Sequence, residues 1–156
     1  MTSRTAARRY VSPLRYPGGK ARMAPFLADM FAEQVSEMDV EVWLEPFAGG
    51  AGAGLTLLDA DAVCEVWLTE KNPAIAALWR TILTDGELLA AKVEATAPDL
   101  PLWERSREIV AAAAAGQRDL DDAELRFAAL VINRCSRSGM VTARVGPIGG
   151  KSQDGR

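Results

Sequence analysis

Apolar side chains alternate with polar ones in two short stretches in the first half of the chain. Residues 40–44 read Val-Glu-Val-Trp-Leu, and residues 64–69 read Cys-Glu-Val-Trp-Leu-Thr. Alternation with a period of two predicts a β-strand, and we expect both strands to be buried. After each strand the apolar positions follow helical spacing, so residues 40–83 are expected to form a β-α-β-α unit.

The turn after the first predicted strand is rich in glycine. Residues 45–54 read Glu-Pro-Phe-Ala-Gly-Gly-Ala-Gly-Ala-Gly. Glycine permits positive φ angles and lets a ligand approach the backbone closely. The helix that follows would direct backbone N–H groups and the positive end of its dipole at that ligand. A tight turn without a ligand is the alternative interpretation.

An acidic residue ends the second predicted strand. Glu70 lies about twenty residues beyond the glycines, where nucleotide-binding α/β units place a carboxylate against ribose hydroxyls. A nucleoside-sized ligand is therefore expected across the strand ends, and a solvated strand-end acid is the alternative. Asn72 and Pro73 predict the N-cap and first turn of the next helix.

A second glycine turn lies nearer the N-terminus. Residues 17–20 read Pro-Gly-Gly-Lys, a strong turn signal, and Lys20 near a nest of backbone amides suits a carboxylate or phosphate. A helix is expected from about residue 21 to residue 36. Its apolar face has helical spacing and consists of Met23, Phe26, Leu27, Met30 and Phe31.

Residues 71–134 are expected to be helical. The predicted helices are 74–83, 87–95 and 103–116, the last with Gly116 as its C-cap, and Pro98 and Pro101 should lie in the link that precedes residue 103. A further helix is expected from Asp121, with an apolar face that consists of Leu125, Ala128, Ala129, Val131 and Ile132. The acids that begin the last helix are explained by capping and the helix dipole, so no metal site is predicted. From residue 133 the chain is basic and rich in glycine, which suits phosphate contact; a disordered tail is the alternative.

Composition limits the class of protein. The 156 residues, 49% of them apolar, suit one domain, or one domain with a small appendage. No apolar run is long enough to span a bilayer, and no secretory signal is recognised, so we predict no membrane partner. Cys64 and Cys135 are far apart and Cys64 falls in a predicted buried strand, which favours a cytoplasmic location. The absence of histidine excludes Ser–His and Cys–His nucleophiles and most zinc sites.

The net charge of −3 conceals a segregation of charge. Residues 1–22 carry six basic and no acidic groups, residues 134–156 carry five basic and one acidic, and the middle carries seven basic and twenty acidic. An acidic body with basic ends can present a phosphate-binding surface despite a low isoelectric point. Ordinary basic termini are the alternative.

Three blocks of this sequence resemble those of the Dam-type DNA adenine N6-methyltransferases, and they occur in the family's order. Residues 14–20 (Leu-Arg-Tyr-Pro-Gly-Gly-Lys) are similar to the N-terminal block, and residues 45–52 are similar to the cofactor loop. Residues 133–139 and 146–150, followed by Gln153, are similar to a loop in the DNA-recognition region. The resemblance covers roughly residues 12–156.

The resemblance implies a fold, a cofactor and a set of binding residues. The fold would be α/β, a Rossmann-like S-adenosylmethionine-dependent methyltransferase sheet, here incomplete. Residues 1–83 would form the cofactor-binding part, and residues 84–156 a helical target-recognition insert with a basic C-terminal loop. S-adenosylmethionine would be held by Tyr16, Lys20, Phe47, Gly49, Gly50 and Glu70, with Glu70 replacing the family's usual Asp. Double-stranded DNA would contact Arg134, Arg137 and Ser138.

One departure from the family concerns catalysis. The family's motif, Asp-Pro-Pro-Tyr or a close variant, binds the target amine and stacks on the flipped base, and no Pro-Pro pair occurs in these 156 residues. In the family that motif follows the loop with which this sequence ends. The expectation is therefore a truncated methyltransferase that is inactive alone and has no catalytic residue in this chain. Such a chain would lack the later strands of the sheet, so a sheet edge and apolar helix faces would be exposed.

Two other functions remain open from the sequence. One alternative is a non-catalytic cofactor- or DNA-binding module, and the other is one half of a split methyltransferase whose second chain carries the missing motif. A different α/β nucleotide enzyme, such as an NAD-dependent oxidoreductase, fits less well, because the glycine spacing is poorer and the Pro-Gly-Gly-Lys block has no role in it.

Overall fold

The computed structural model describes residues 12–20, 23, 25–27, 29–30 and 41–152. Its elements in chain order are β1 (Val42–Glu45), α1 (Gly52–Asp59), β2 (Glu65–Leu68), α2 (Pro73–Thr84), α3 (Gly86–Glu94), α4 (Leu100–Ala114) and α5 (Asp122–Cys135). The α/β class and the β-α-β-α order are confirmed. Residues 25–27 and 29–30 are helical, and the rest of the helix predicted at 21–36, including Phe31, lies outside the described residues apart from Met23.

The two strands form a parallel pair. Val42 lies opposite Glu65, and Glu45 lies opposite Leu68. Helix α1 covers one face of this pair, and the contact is close because position 54 is glycine. A Cβ built on Gly54 would lie 2.7 Å from Cγ1 of Val66 and 3.1 Å from Cδ1 of Trp43, so a larger residue would push the helix away from the strands.

The other face of the pair is exposed, which corrects the prediction of buried strands. Leu44 is 53% exposed and Trp67 is 58% exposed, and Cys64, which precedes β2, is also exposed. Parallel strands usually have helices on both faces, whereas among the described residues α1 covers only the Trp43 side. The apolar Met23, in a turn, and Phe26, in the described helical residues, are exposed as well.

The core lies among the helices rather than around the sheet. Helices α2, α4 and α5 bury Leu78, Val110 and Ile132 against one another. All five apolar residues predicted for α5, from Leu125 to Ile132, are buried, which confirms that helical face. Because α2 packs against α5, the two parts predicted on either side of residue 84 share one core.

The helix ends follow local capping rules. Asn72 caps α2 as predicted, since its Oδ1 accepts a hydrogen bond from the Ala74 N–H at 3.0 Å. The C-cap of α4 is Ala115 and not Gly116 as predicted; Gly116, with φ of +88°, is the next residue. The Gly116 N–H donates to the Ala113 carbonyl and the Gln117 N–H donates to the Ala112 carbonyl, so the glycine closes the helix end.

The start of α4 corrects the predicted boundary. The helix begins at Leu100 rather than residue 103, so Pro101 lies in its first turn and not in a link. Proline is tolerated there because its missing N–H would have no partner within the helix. Asp99 caps this turn by accepting a hydrogen bond from the Leu102 N–H at 2.8 Å.

Among the helices in the described part of the chain, none combines the length and the apolar character needed to cross a membrane.

Candidate cofactor and nucleic-acid site

The glycine turn after β1 is fixed at the ends of both strands. The Ala48 N–H donates to the Thr69 carbonyl at 2.9 Å, which ties the turn to the residue that follows β2. Gly49 and Ala51 both have left-handed backbone conformations, with φ of +50° and +48°. The turn therefore reverses direction within a few residues and leads directly into α1.

Gly49 is held on three sides. Its N–H donates to Oε2 of Glu70 at 2.8 Å, and its carbonyl accepts a hydrogen bond from Nε1 of the buried Trp79 at 2.8 Å. The third side faces the ring of Tyr16, since a Cβ at position 49 would lie 2.8 Å from Cε1 and Cζ of that ring. The sequence predicted glycine here for ligand approach, whereas in the structure the group that approaches Gly49 is Tyr16.

The carboxylate of Glu70 is oriented by backbone groups. Its Oε2 accepts from the Gly49 N–H, and its Oε1 accepts from the Asn72 N–H at 2.8 Å. Glu70 is half-buried. A carboxylate has about four lone-pair sites, so after these two bonds it retains acceptor capacity for hydroxyl groups.

A second carboxylate, that of Glu45, lies at the start of α1. Its Oε1 accepts a hydrogen bond from the Gly54 N–H at 2.5 Å. An acid at a helix N-terminus is favourable because it offsets the partial positive charge there. The same contact satisfies a backbone donor that an anionic ligand would otherwise use. Because Glu70 is bonded to Gly49 and Glu45 is bonded to Gly54, the turn carries a carboxylate on each side.

The N-terminal segment packs onto this turn. Leu14 is buried in the core, and a Cβ built on Gly50 would lie 3.0 Å from Cβ of Tyr16 and 3.3 Å from Oγ of Ser12. The Gly19 N–H donates to the Tyr16 carbonyl at 3.1 Å and closes the predicted turn, in which Gly18 has φ of +76°.

The structure brings together four of the six predicted cofactor residues. Tyr16, Gly49, Gly50 and Glu70 form one contiguous cluster through the contacts above. The side chains of Lys20 and Phe47 are exposed, Phe47 at 85%. They lie within a few residues of the cluster in sequence, and no described contact joins them to it.

Within the described part of the basic C-terminal block, residues 135–148 form an ordered hairpin, which corrects the alternative of a disordered tail for this stretch. Ser136 and Pro147 form an antiparallel bridge, and the Ile148 N–H donates to the Cys135 carbonyl at 2.9 Å. The hydroxyl of Ser136 accepts a hydrogen bond from Nε1 of Trp103 at 3.0 Å. Residues 135–148 are thus anchored to the helical core.

Of the three predicted DNA contacts, Arg134 lies in the last turn of α5, and Arg137 and Ser138 lie in the hairpin. Arg134 and Arg137 are exposed, and their carbonyls accept hydrogen bonds from the guanidinium of Arg15. The Ser138 hydroxyl accepts from the Met140 N–H at 3.2 Å, which makes it a turn residue. Burial raises the pKa of the Cys135 thiol, an effect opposed by the charge of Arg134.

Two cavities occur elsewhere in the described part of the molecule. The larger, of about 270 Å³, lies between the start of α4 and the hairpin and is lined by Pro98, Asp99, Leu100, Trp103, Arg134, Cys135, Pro147 and Ile148. The smaller, of about 110 Å³, lies between α2, α3 and α5. Neither includes the glycine turn, where the Tyr16 ring fills the space above Gly49.

Several contact-forming residues received no individual role from the sequence. These are Arg15, Glu45, Trp79 and Asn133. The one local signal was Trp79, because a tryptophan on a buried helix face usually requires a partner for its N–H. Arg15 and Asn133 bond to each other across the chain, and Glu45 bonds to Gly54 in the following helix; no pattern within a single helix or strand indicates these contacts.

Comparison with protein-family models, with curated proteins and with solved structures finds no match to this chain.

Proposed function

We propose that this chain is the cofactor- and DNA-binding portion of a Dam-type DNA adenine N6-methyltransferase. The observation that carries the proposal is that the three blocks on which the resemblance rests meet in space. Tyr16 of the first block packs on Gly49 and Gly50 of the second. Arg15 of the first pairs with Asn133 of the third, through the Arg15 N–H to Oδ1 at 3.0 Å and Nδ2 to the Arg15 carbonyl at 2.7 Å.

The cluster at the glycine turn suits S-adenosylmethionine. Glu70 is oriented and has acceptor capacity left for ribose hydroxyls, Tyr16 offers an aromatic ring at the turn, and Lys20 would pair with the methionine carboxylate. When bound, the cofactor supplies a methyl group on a positively charged sulfur. Phe47, Gly49 and Gly50 would complete its pocket.

The charge at the turn argues against the NAD alternative. Dinucleotide sites place a pyrophosphate at the helix N-terminus. Here the carboxylate of Glu45 already accepts the hydrogen bond of the Gly54 N–H in α1, and the carboxylate of Glu70 accepts that of the Gly49 N–H. Two carboxylates would repel a pyrophosphate, whereas a sulfonium compound carries the opposite charge at its reactive atom.

The basic hairpin suits contact with duplex phosphates. Arg134 and Arg137 present exposed guanidinium groups on a segment whose backbone is fixed by hydrogen bonds, and Ser138 lies beside them. Contacts of this kind position a protein on DNA without reading its sequence. They also make affinity fall with salt, because binding releases counterions.

Methyl transfer requires groups that these 156 residues do not contain. No Asp-Pro-Pro-Tyr motif is present, so we propose that the chain alone binds its ligands without transferring a methyl group. Groups from outside these 156 residues, supplied by a second chain in the split-enzyme alternative, would complete the site. The exposed apolar sheet face, with Leu44 and Trp67, favours a further partner surface over a self-sufficient module.

Calorimetry with S-adenosylhomocysteine and with NAD tests the cofactor assignment. We expect binding of S-adenosylhomocysteine, its loss in Glu70→Ala, and no binding of NAD. The Glu87→Ala variant, an exposed acid on α3, is the matched control. NAD binding in preference to S-adenosylhomocysteine would replace the proposal with the oxidoreductase alternative, and radiolabelled methyl transfer to DNA by the chain alone would contradict its inactivity.

A further inference from the structure

The side chain of Asn133 joins the N-terminal segment to the basic hairpin. It is fully buried, and besides its two bonds to the Arg15 backbone its Nδ2 donates to the Gly139 carbonyl at 2.6 Å. A buried amide with these bonds is a fixed link, since losing one partner leaves a buried polar group unpaired. Gly139 has φ of +69°, and a Cβ there would lie 2.9 Å from Cβ of Arg15, so the two backbones are in direct contact.

The guanidinium of Arg15 makes a second set of contacts with the same region. Its Nη1 donates to the carbonyls of Arg134 and Ser136, each at 3.3 Å. Its Nη2 donates to the carbonyl of Arg137 at 3.2 Å. The planar guanidinium can serve three acceptors at once, whereas a lysine ammonium is a point charge on a flexible stem.

One peptide unit separates these contacts from the glycine turn. Arg15 binds the hairpin, and the next residue, Tyr16, packs on Gly49 and Gly50. Adjacency in the chain therefore links the packing of Tyr16 on the turn directly to the carbonyls that Arg15 holds. Those carbonyls belong to Arg134 and Arg137, whose side chains are the proposed phosphate contacts.

We propose that Arg15 and Asn133 are positioning residues that couple ligand occupancy at the glycine turn to nucleic-acid binding by the basic hairpin, an inference that rests on the proposed function. A ligand that fixes Tyr16 also fixes Arg15 and the hairpin backbone. The hairpin then loses less conformational freedom when it docks on phosphates. The coupling is reciprocal, so DNA strengthens binding of the small ligand by the same factor.

Fluorescence anisotropy with a short labelled duplex of mixed sequence measures the coupling. We expect saturating S-adenosylhomocysteine to tighten duplex binding by about five-fold or more, the lower end of the range for coupled sites. The Arg15→Lys variant keeps the charge but replaces the planar guanidinium, which reaches the carbonyls from two separate nitrogens, with a single ammonium nitrogen. It is expected to bind each ligand alone and to lose most of the coupling, whereas Arg105→Lys, an exposed arginine on α4, keeps it.

Hydrogen exchange on the unmodified chain provides a test that needs no variant. The N–H groups of Arg137 and Ile148 are bonded within the hairpin. We expect S-adenosylhomocysteine to slow their exchange with solvent.

The outcomes separate this inference from the proposed function. If both ligands bind but neither changes the affinity for the other, the coupling is refuted and the function stands. If Arg15→Lys retains full coupling, charge alone suffices and the positioning role of Arg15 is overturned. Unchanged exchange at Arg137 and Ile148 with ligand bound counts against the inference as well. If neither ligand binds the wild-type chain, both the function and the inference fail.

Discussion

Replacing Gly49 by alanine tests the contact between the N-terminal segment and the glycine turn. Alanine reaches φ of +50° at a cost of about 1 kcal/mol. The added Cβ would lie 2.8 Å from two ring carbons of Tyr16, so the ring must shift, and overpacking of this kind costs about 1–3 kcal/mol. Tyr16 is 44% exposed and can move in part, so we expect the free energy of unfolding to fall by about 2–3 kcal/mol.

A double-mutant cycle isolates the steric part of this effect. In the Tyr16→Ala background the ring is gone, and Gly49→Ala should cost only about 1 kcal/mol for the backbone. Gly116→Ala is a matched control, because Gly116 also has a positive φ but no atom within 4 Å of a built Cβ. Urea denaturation followed by tryptophan fluorescence gives each free energy of unfolding. An equal loss for Gly49→Ala in both backgrounds would refute the contact with Tyr16.

Three further predictions concern buried groups and charge. Trp79→Phe removes the donor to the Gly49 carbonyl and should lower the free energy of unfolding by about 1–3 kcal/mol in urea denaturation, because that carbonyl is left unpaired; an unchanged midpoint would contradict this. Arg134→Ala should reduce the slope of log duplex affinity against log salt by about one, and an unchanged slope would remove Arg134 from the phosphate contacts. Burial raises the pKa of Cys135, so its thiolate forms at higher pH and iodoacetamide should alkylate it more slowly than the exposed Cys64; faster labelling of Cys135 would contradict its burial.

Local interactions made several features of the fold predictable from the sequence. Asn72 and Gly116 act within one turn of their own helices, so residue type and position were enough to predict the cap and the helix end. The apolar face of α5 was predictable because its period is intrinsic to the helix. Pro101 was misplaced because proline both interrupts helices and begins them, and local sequence does not separate the two.

Long-range contacts explain what the sequence could not predict. An alternating strand has the same pattern whether one of its faces is covered or both are, so the exposure of Leu44 and Trp67 was not foreseeable. Glycine at position 49 was predicted for the approach of a ligand, whereas the Tyr16 ring that lies against it comes from 33 positions earlier in the chain. The pairing of Arg15 with Asn133 likewise joins residues from opposite ends of the described chain.

A crystal structure grown with S-adenosylhomocysteine tests the central claim most directly. The account predicts electron density at the glycine turn, with the ribose hydroxyls within hydrogen-bonding distance of the Glu70 carboxylate and the ligand beside the Tyr16 ring. Density in the cavity beside Ile148, or a nucleoside bound without contact to Glu70 or Tyr16, would contradict it.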